Sequence, residues 1–320
     1  MMAEEVCIGA GGWGYFSGGL ASYAKAFRFV EVNSTFYRLP AIKDVSRWRR
    51  TVPPTFTFSV KAPRRITHTG GSIDNATARE HLAATAKVCA VLKAPWLVLE
   101  YPPRRVFERK DCAGLVELIS SAGMGATVCL EARAYKRREL PPKLAEMMRE
   151  NAIIDVVDPI IQEPRVESCQ AYFRVFGKGE QNVYQPTDEE LEDADDRVSR
   201  GGMDMMVFAF HGVKMYKDAA RFTTFKRTGK FPKVTGGEGV SSLEEILKRD
   251  GIFPSSKDEL VQRLGWMLVD LADTKRMRAS VFLRQLDTRV YSSPSDVVNS
   301  LRPFSSRPGI GKLTRELSGQ

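Results

Sequence analysis

Eight charged residues stand at or just beyond the ends of short apolar runs in this sequence: the acids Glu31, Glu100, Glu131 and Asp158, and the bases Lys61, Arg64, Arg133 and Arg174. Brought together, the bases would hold a phosphate or carboxylate. One acid would then serve as general base, its pKa raised by burial and like-charged neighbours. Glu31, Glu131, Asp158 and His68 are the candidate acid–base residues. Trp13, Asn33, Tyr37, Lys61, Arg64, Arg133, Arg174 and His211 are the candidate substrate-binding residues. Mg²⁺ or Mn²⁺ could sit on Glu31, Glu131 and Asp158, because hard ions take oxygen ligands. The three histidines, none spaced as a pair, argue against a multi-zinc site built on imidazoles. The competing interpretation is a self-neutralising ring of ion pairs, since partly buried charges need partners.

The elements that would carry these residues are strand-like runs at 6–9, 28–33, 55–61, 96–100, 126–131, 152–157, 171–176 and 205–210, rich in Val, Ile, Phe and Tyr. Helical patterns fall between most of them, near 42–50, 75–93, 111–121, 139–149, 187–199 and 214–226. Asn75 is placed to cap the second of these and Thr187 the fifth. The link between strands six and seven carries no helix signal. Alternating strands and helices in this number imply a TIM-barrel-like (β/α)₈ fold of class α/β, with an open doubly wound sheet as the alternative. Barrel sites lie at the C-terminal strand ends, where the charged set falls. Alternation puts Glu31 and Asn33 on one face of their strand and Val30 and Val32 on the other.

The barrel is expected over 1–235. Residues 236–302 read as a small C-terminal helical domain, with S-x-x-E capping boxes at Ser241/Glu244 and Ser256/Glu259 and a first-turn proline at Pro294. GGEG at 236–239 reads as a linker, and 303–320 as a flexible tail. The segment IGAGGWG (8–14) has the G-x-G-x-x-G spacing, but FSGGL follows it instead of a helix. A tight loop at the mouth is expected there and no nicotinamide cofactor, with a phosphate contact from its backbone N–H groups left open.

Forty-eight Lys+Arg against 39 Asp+Glu give a net charge of +9, a field that attracts nucleic acid or phosphorylated molecules. Basic clusters stand at 47–50, 61–65, 102–105 and 135–139; the acidic run 188–196 reads as the exposed face of a capped helix. No apolar run is long enough for a membrane span, and the start lacks a secretory pattern. Five scattered cysteines without a CxxC suit reduced thiols, so a cytoplasmic protein is expected.

The stretch VEVNSTFYRLPAIKDVSRWRRTVPPTFTFSVKAPRRITH (30–68) resembles the YecE-like family, domain of unknown function 72. The I-G-x-x-G-W opening, LEAR (130–133), YFRVFG (172–177) and MYKDAARF (215–222) are similar to the same family, over about residues 7–226. The resemblance implies a TIM-barrel-like fold and no established activity. Its matched positions are Gly9, Gly12, Trp13, Glu31, Asn33, Ser34, Phe36, Tyr37, Lys61, Arg64, His68, Glu131, Arg133 and Arg174. The sequence departs from the family pattern at Glu100 (usually Gln), at Phe176-Gly177 (usually His-Gly) and at His211-Gly212 (usually Asn-Asn). Residues 251–301 resemble a second small family, domain of unknown function 2795, which suggests a compact helical accessory module.

Together these features lead to the expectation of a phosphate-directed hydrolase acting on nucleic acid or a nucleotide-like phosphoester, nuclease-like and metal-assisted. Bases would stack on Trp13, Phe36 or Tyr37. The alternatives are a non-catalytic nucleic-acid-binding protein and a small sugar-phosphate isomerase or lyase.

Overall fold

The fold is that of a computed structural model, in which residues 5–272 and 275–305 are described. Eight parallel strands, β1 (Glu5–Ala10), β2 (Phe29–Val32), β3 (Thr57–Lys61), β4 (Trp96–Tyr101), β5 (Thr127–Ala132), β6 (Ile154–Asp155), β7 (Gln170–Val175) and β8 (Met205–Phe210), form one sheet in the order β6-β5-β4-β3-β2-β1-β8-β7. β6 and β7 come together at a bridge between Val157 and Phe173, where Arg174 N donates to Val157 O at 3.0 Å. The sheet is thereby nearly closed into a barrel, weakest where no helix links two strands.

Around it lie α1 (Gly19–Ala26), α2 (Ile42–Thr51), α3 (Arg64–Thr67), α4 (Ala76–Leu92), α5 (Arg109–Ser121), α6 (Pro142–Glu150), α7 (Asp188–Ser199) and α8 (Met215–Thr228). Asn75 and Thr187 accept the N-cap hydrogen bonds expected of them. α1 and α3 carried no sequence signal: α1 opens at Gly18 in the left-handed region (φ 81°), and α3 is a single turn. The acidic run on α7 is in part the solvated face expected, with Glu189, Glu192, Asp193 and Asp196 exposed, but two of its acids are engaged. Asp195 is buried on Lys226, and Asp188 is bound by Arg221 and Arg276.

Strand alternation explains the interior. Phe29, Trp96, Val98, Cys129, Ile154, Val156, Tyr172, Val207 and Ala209 form an apolar cluster inside the barrel. The opposite faces, with Val30, Val32, Phe58, Leu97, Leu99, Leu130, Phe173 and Phe208, pack into the larger core shared with the helices. One pleat beyond the inner cluster, on the same face, come Glu31, Lys61, Glu100, Glu131, Asp158, Arg174 and His211.

The C-terminal residues have their own apolar cluster, with Leu243, Leu247, Leu260, Leu264, Val269, Leu283, Tyr291 and Val297 at its centre. Helices α9 (Val240–Asp250), α10 (Lys257–Leu264), α11 (Ala279–Leu283) and α12 (Pro294–Ser305) enclose it. Two short antiparallel pairs also occur here, which corrects the expectation of helices alone: β9 (Ser255–Ser256) with β12 (Val290–Tyr291), and β10 (Leu268–Asp270) with β11 (Arg276–Arg278). Strands of two or three residues show no periodicity to read. Ser256 and Glu259 form their capping box, whereas α9 is capped at Gly239 and not at Ser241. GGEG is held in place: Gly239 N donates to Asp270 O at 2.7 Å, and Gly236 N to Glu245 at 2.9 Å. The helix α12 runs to Ser305, into the stretch expected as a tail; 306–320 lie outside the described residues. Among the described residues no helix is long and apolar enough to cross a membrane.

Candidate functional site

The polar layer at the barrel mouth is organised around Arg174, 2% exposed at the end of β7. Its Nη1 lies 2.6 Å from Glu100 Oε2 and also binds Glu131, and its Nη2 lies 3.1 Å from Glu31. Its Nε donates to His211 Nε2 at 3.2 Å, which leaves the proton of a neutral ring on Nδ1. Lys61 pairs with Glu100 at 2.7 Å, and Arg133 bridges Glu100 (2.9 Å) and Glu131 (2.8 Å). Below them, Tyr172 donates to Glu31 at 2.9 Å and is itself bonded to Ser59 at 2.6 Å. Three carboxylates and three cations therefore satisfy one another.

Burial opposes the charge on each acid, but the cations outweigh it. Arg174, His211 and Lys61 hold Glu31 well below the carboxylate range. Arg174 and Arg133 do the same for Glu100 and Glu131. Burial and the Arg174 charge push His211 below its ordinary value, against the pull of Glu31. Burial likewise lowers His68, whose Nδ1 lies 2.8 Å from Thr67 Oγ1.

The convergence expected of Glu31, Lys61, Glu131, Arg133, Arg174 and His211 is present, but its chemistry differs from the expectation. Lys61 and Arg174 are buried on carboxylates and offer no free charge to a phosphate. Glu31 and Glu131 are ionised and occupied, so neither is a poised base. They meet on Arg174 and do not join Asp158 as ion ligands; among the described residues no group of three His, Cys, Asp or Glu side chains could hold a metal. Trp13 is engaged edge-on by Trp48 at 5.1 Å, so it serves packing. The buried Oδ1 of Asn33 has no hydrogen-bond partner among the described residues. Arg64 and Tyr37 are exposed near the mouth, and Lys61 Nζ sits 3.8 Å from the centre of the Phe36 ring. The glycine loop also has steric duties: a Cβ on Gly11 would lie 2.1 Å from the His211 ring, and one on Gly9 2.1 Å from Phe29 O.

The three departures from the family pattern meet here. Glu100 binds Arg174, Phe176 stacks on His211 with ring centres 4.9 Å apart, and the Arg174 guanidinium lies 5.2 Å from the Phe176 ring centre.

Beside this layer, where β6 and β7 part, a cleft of about 560 Å³ opens. It is lined by Glu131, Arg133, Lys136, Arg137, Asp158, Arg165, Phe176, Lys178 and Glu180, among others. Arg165 is committed to Asp155 through two hydrogen bonds of 2.8 and 2.7 Å, and Lys178 to Glu190 at 2.9 Å. Lys136 and Arg137 are exposed at the rim. Asp158 is buried and, among the described residues, forms no ion pair. Its carboxylate accepts from the N–H groups of Ile160 (3.1 Å), Phe176 (2.9 Å) and Gly177 (2.8 Å). Burial exceeds these bonds and pushes its pKa up to about 6. Lys136, Arg137, Arg165 and Lys178 were not among the sequence candidates, although 135–139 was noted as basic. The helix-free link between strands six and seven is the sequence feature that coincides with this gap.

A family model described as "Protein of unknown function DUF72" matches residues 16–234. The crystal structure of a DUF72 family protein from Enterococcus faecalis V583 superposes with a TM-score of 0.57 at 17% identity, over 72% of this chain and 99% of that one. One from Thermotoga maritima MSB8 superposes with a TM-score of 0.53 at 19% identity, over 70% and 100%. Both are similar in fold. No curated protein matches the sequence.

Proposed function

The chain belongs to the DUF72 family, and from that premise we propose a phosphate-directed hydrolase acting on nucleic acid or a nucleotide-like phosphoester, with its ligand in the cleft beside β6 and β7. The composition of the cleft supports this reading: five cations face three carboxyl groups, one of them the unpaired Asp158. Lys136 and Arg137, both exposed, would bind phosphate oxygens. A carboxylate has about four acceptor sites. Three of those on Asp158 are taken by backbone N–H groups, which leaves one to take a proton. With a pKa near 6, that group can act as general acid or base at ordinary pH. Tyr37, 73% exposed at the mouth, is available to stack a base.

The test is hydrolysis of bis-para-nitrophenyl phosphate and of single-stranded DNA, with and without divalent ions, by the wild type and Asp158→Asn. Turnover lost in the variant while binding persists supports the reading. Binding without turnover by the wild type supports a non-catalytic nucleic-acid-binding protein instead, which the occupied state of Glu31 and Glu131 favours.

A further inference from the structure

We infer that Arg278, on β11 of the C-terminal module, is a positioning residue for the cleft wall, so that the module is part of the anion site; this second half rests on the function proposed above. Three contacts in series, joining four residues, carry the inference. The Arg278 guanidinium lies 4.4 Å from the centre of the Tyr184 ring and donates to Gln185 O at 2.5 Å and Trp266 O at 2.6 Å. Tyr184 in turn covers Gly177 so closely that a Cβ there would lie 2.2 Å from the ring. Gly177, left-handed at φ 79°, gives its N–H to Asp158 at 2.8 Å. In parallel, Tyr184 OH donates to Glu190 at 2.5 Å; Glu190 also pairs with Lys178 at 2.9 Å and lies 3.6 Å from Arg278.

The same face is locked by further contacts between module and barrel. Gln185 accepts from Leu268 N at 3.0 Å and donates to the buried Asp218 at 3.2 Å. Arg276 of β11 binds Asp188 at the start of α7. The segment 176–187 has little regular structure before α7, so these contacts define its path. A guanidinium that stacks on a ring while donating in its own plane fixes both distance and orientation, which an ammonium does not. Lys178, on this segment, and Asp158, which accepts from its Gly177 N–H, thus depend on a side chain from outside the barrel.

The experiment compares full-length wild type, Arg278→Met, Tyr184→Leu and, as a control elsewhere on the module, Arg289→Ala. Hydrogen exchange of the amides at 176–179 is followed together with anisotropy of a fluorescein-labelled single-stranded oligonucleotide. Arg278→Met and Tyr184→Leu are expected to speed exchange at these amides about tenfold, with the α4 amides unchanged, and to weaken binding about tenfold. Arg289→Ala should do neither. Unchanged exchange in folded Arg278→Met overturns the positioning role. Faster exchange with unchanged affinity overturns the module's part in the site. If the wild type binds no oligonucleotide, the proposed function fails, and with it the second half of the inference, while the exchange result still decides the role of Arg278.

Discussion

Arg174 and Glu100 lie 2.6 Å apart inside the barrel, although 74 residues separate them and their strands, β7 and β4, are not neighbours in the sheet. Glu31 and Glu131 share the same guanidinium, and Lys61 and Arg133 complete the neutralisation. A phosphate arriving at this layer would have to displace carboxylates from buried cations. The exposed cations of the cleft require no such exchange, which is why the two regions have different roles.

Removing Arg174 should be severely destabilising. In Arg174→Met, Glu100 and Glu131 keep Lys61 and Arg133, while Glu31 loses its guanidinium partner. Breaking a buried pair of this kind costs about 3–5 kcal/mol. Urea unfolding at pH 7 should show that loss, and a loss under about 1 kcal/mol would contradict the central role given to the guanidinium.

Acid should weaken the fold through the same residues. The folded pKa values of Glu31, Glu100 and Glu131 are depressed, so the stability they confer is present above their unfolded values and is lost as pH falls through the folded ones. Asp158 has the opposite sign. Raised from 3.8 to about 6, it binds more protons folded than unfolded in that window, so its contribution falls as pH rises from 4 to 6 and is flat above. A carboxyl titration followed by carbon NMR should place Asp158 near 6; a value near 4 would remove its acid–base role.

Gly11 and His211 should be energetically coupled. Gly11→Ala drives a Cβ into the His211 ring, an overpacking worth about 1–3 kcal/mol. His211→Ala clears that space while removing the stack on Phe176. The double variant should therefore be more stable than the two single losses predict, by about 0.5–3 kcal/mol in a thermodynamic cycle. Simple additivity would mean that the loop moves aside.

All eight strands were legible because each is an apolar run with β-branched or aromatic residues, bounded by turns. The polar layer was legible from alternation: Glu31 follows Phe29, and Arg174 follows Tyr172, by one pleat. The partner each charge takes was not. That choice depends on register across β2, β4, β5 and β7, which a linear sequence does not display. Likewise, Asp158 looked equivalent to Glu131 in sequence, yet one is held by backbone N–H groups and the other by Arg174. Lys178 was missed because nothing local ties it to the 135–139 cluster across the gap.

The most direct test of the central claim is oligonucleotide binding by wild type and by Lys136→Ala/Arg137→Ala across a range of salt concentrations. If the cleft is the anion site, the double variant binds at least tenfold more weakly, and the slope of log affinity against log salt falls by about 1–2. Equal affinity and equal slope in both proteins would contradict it.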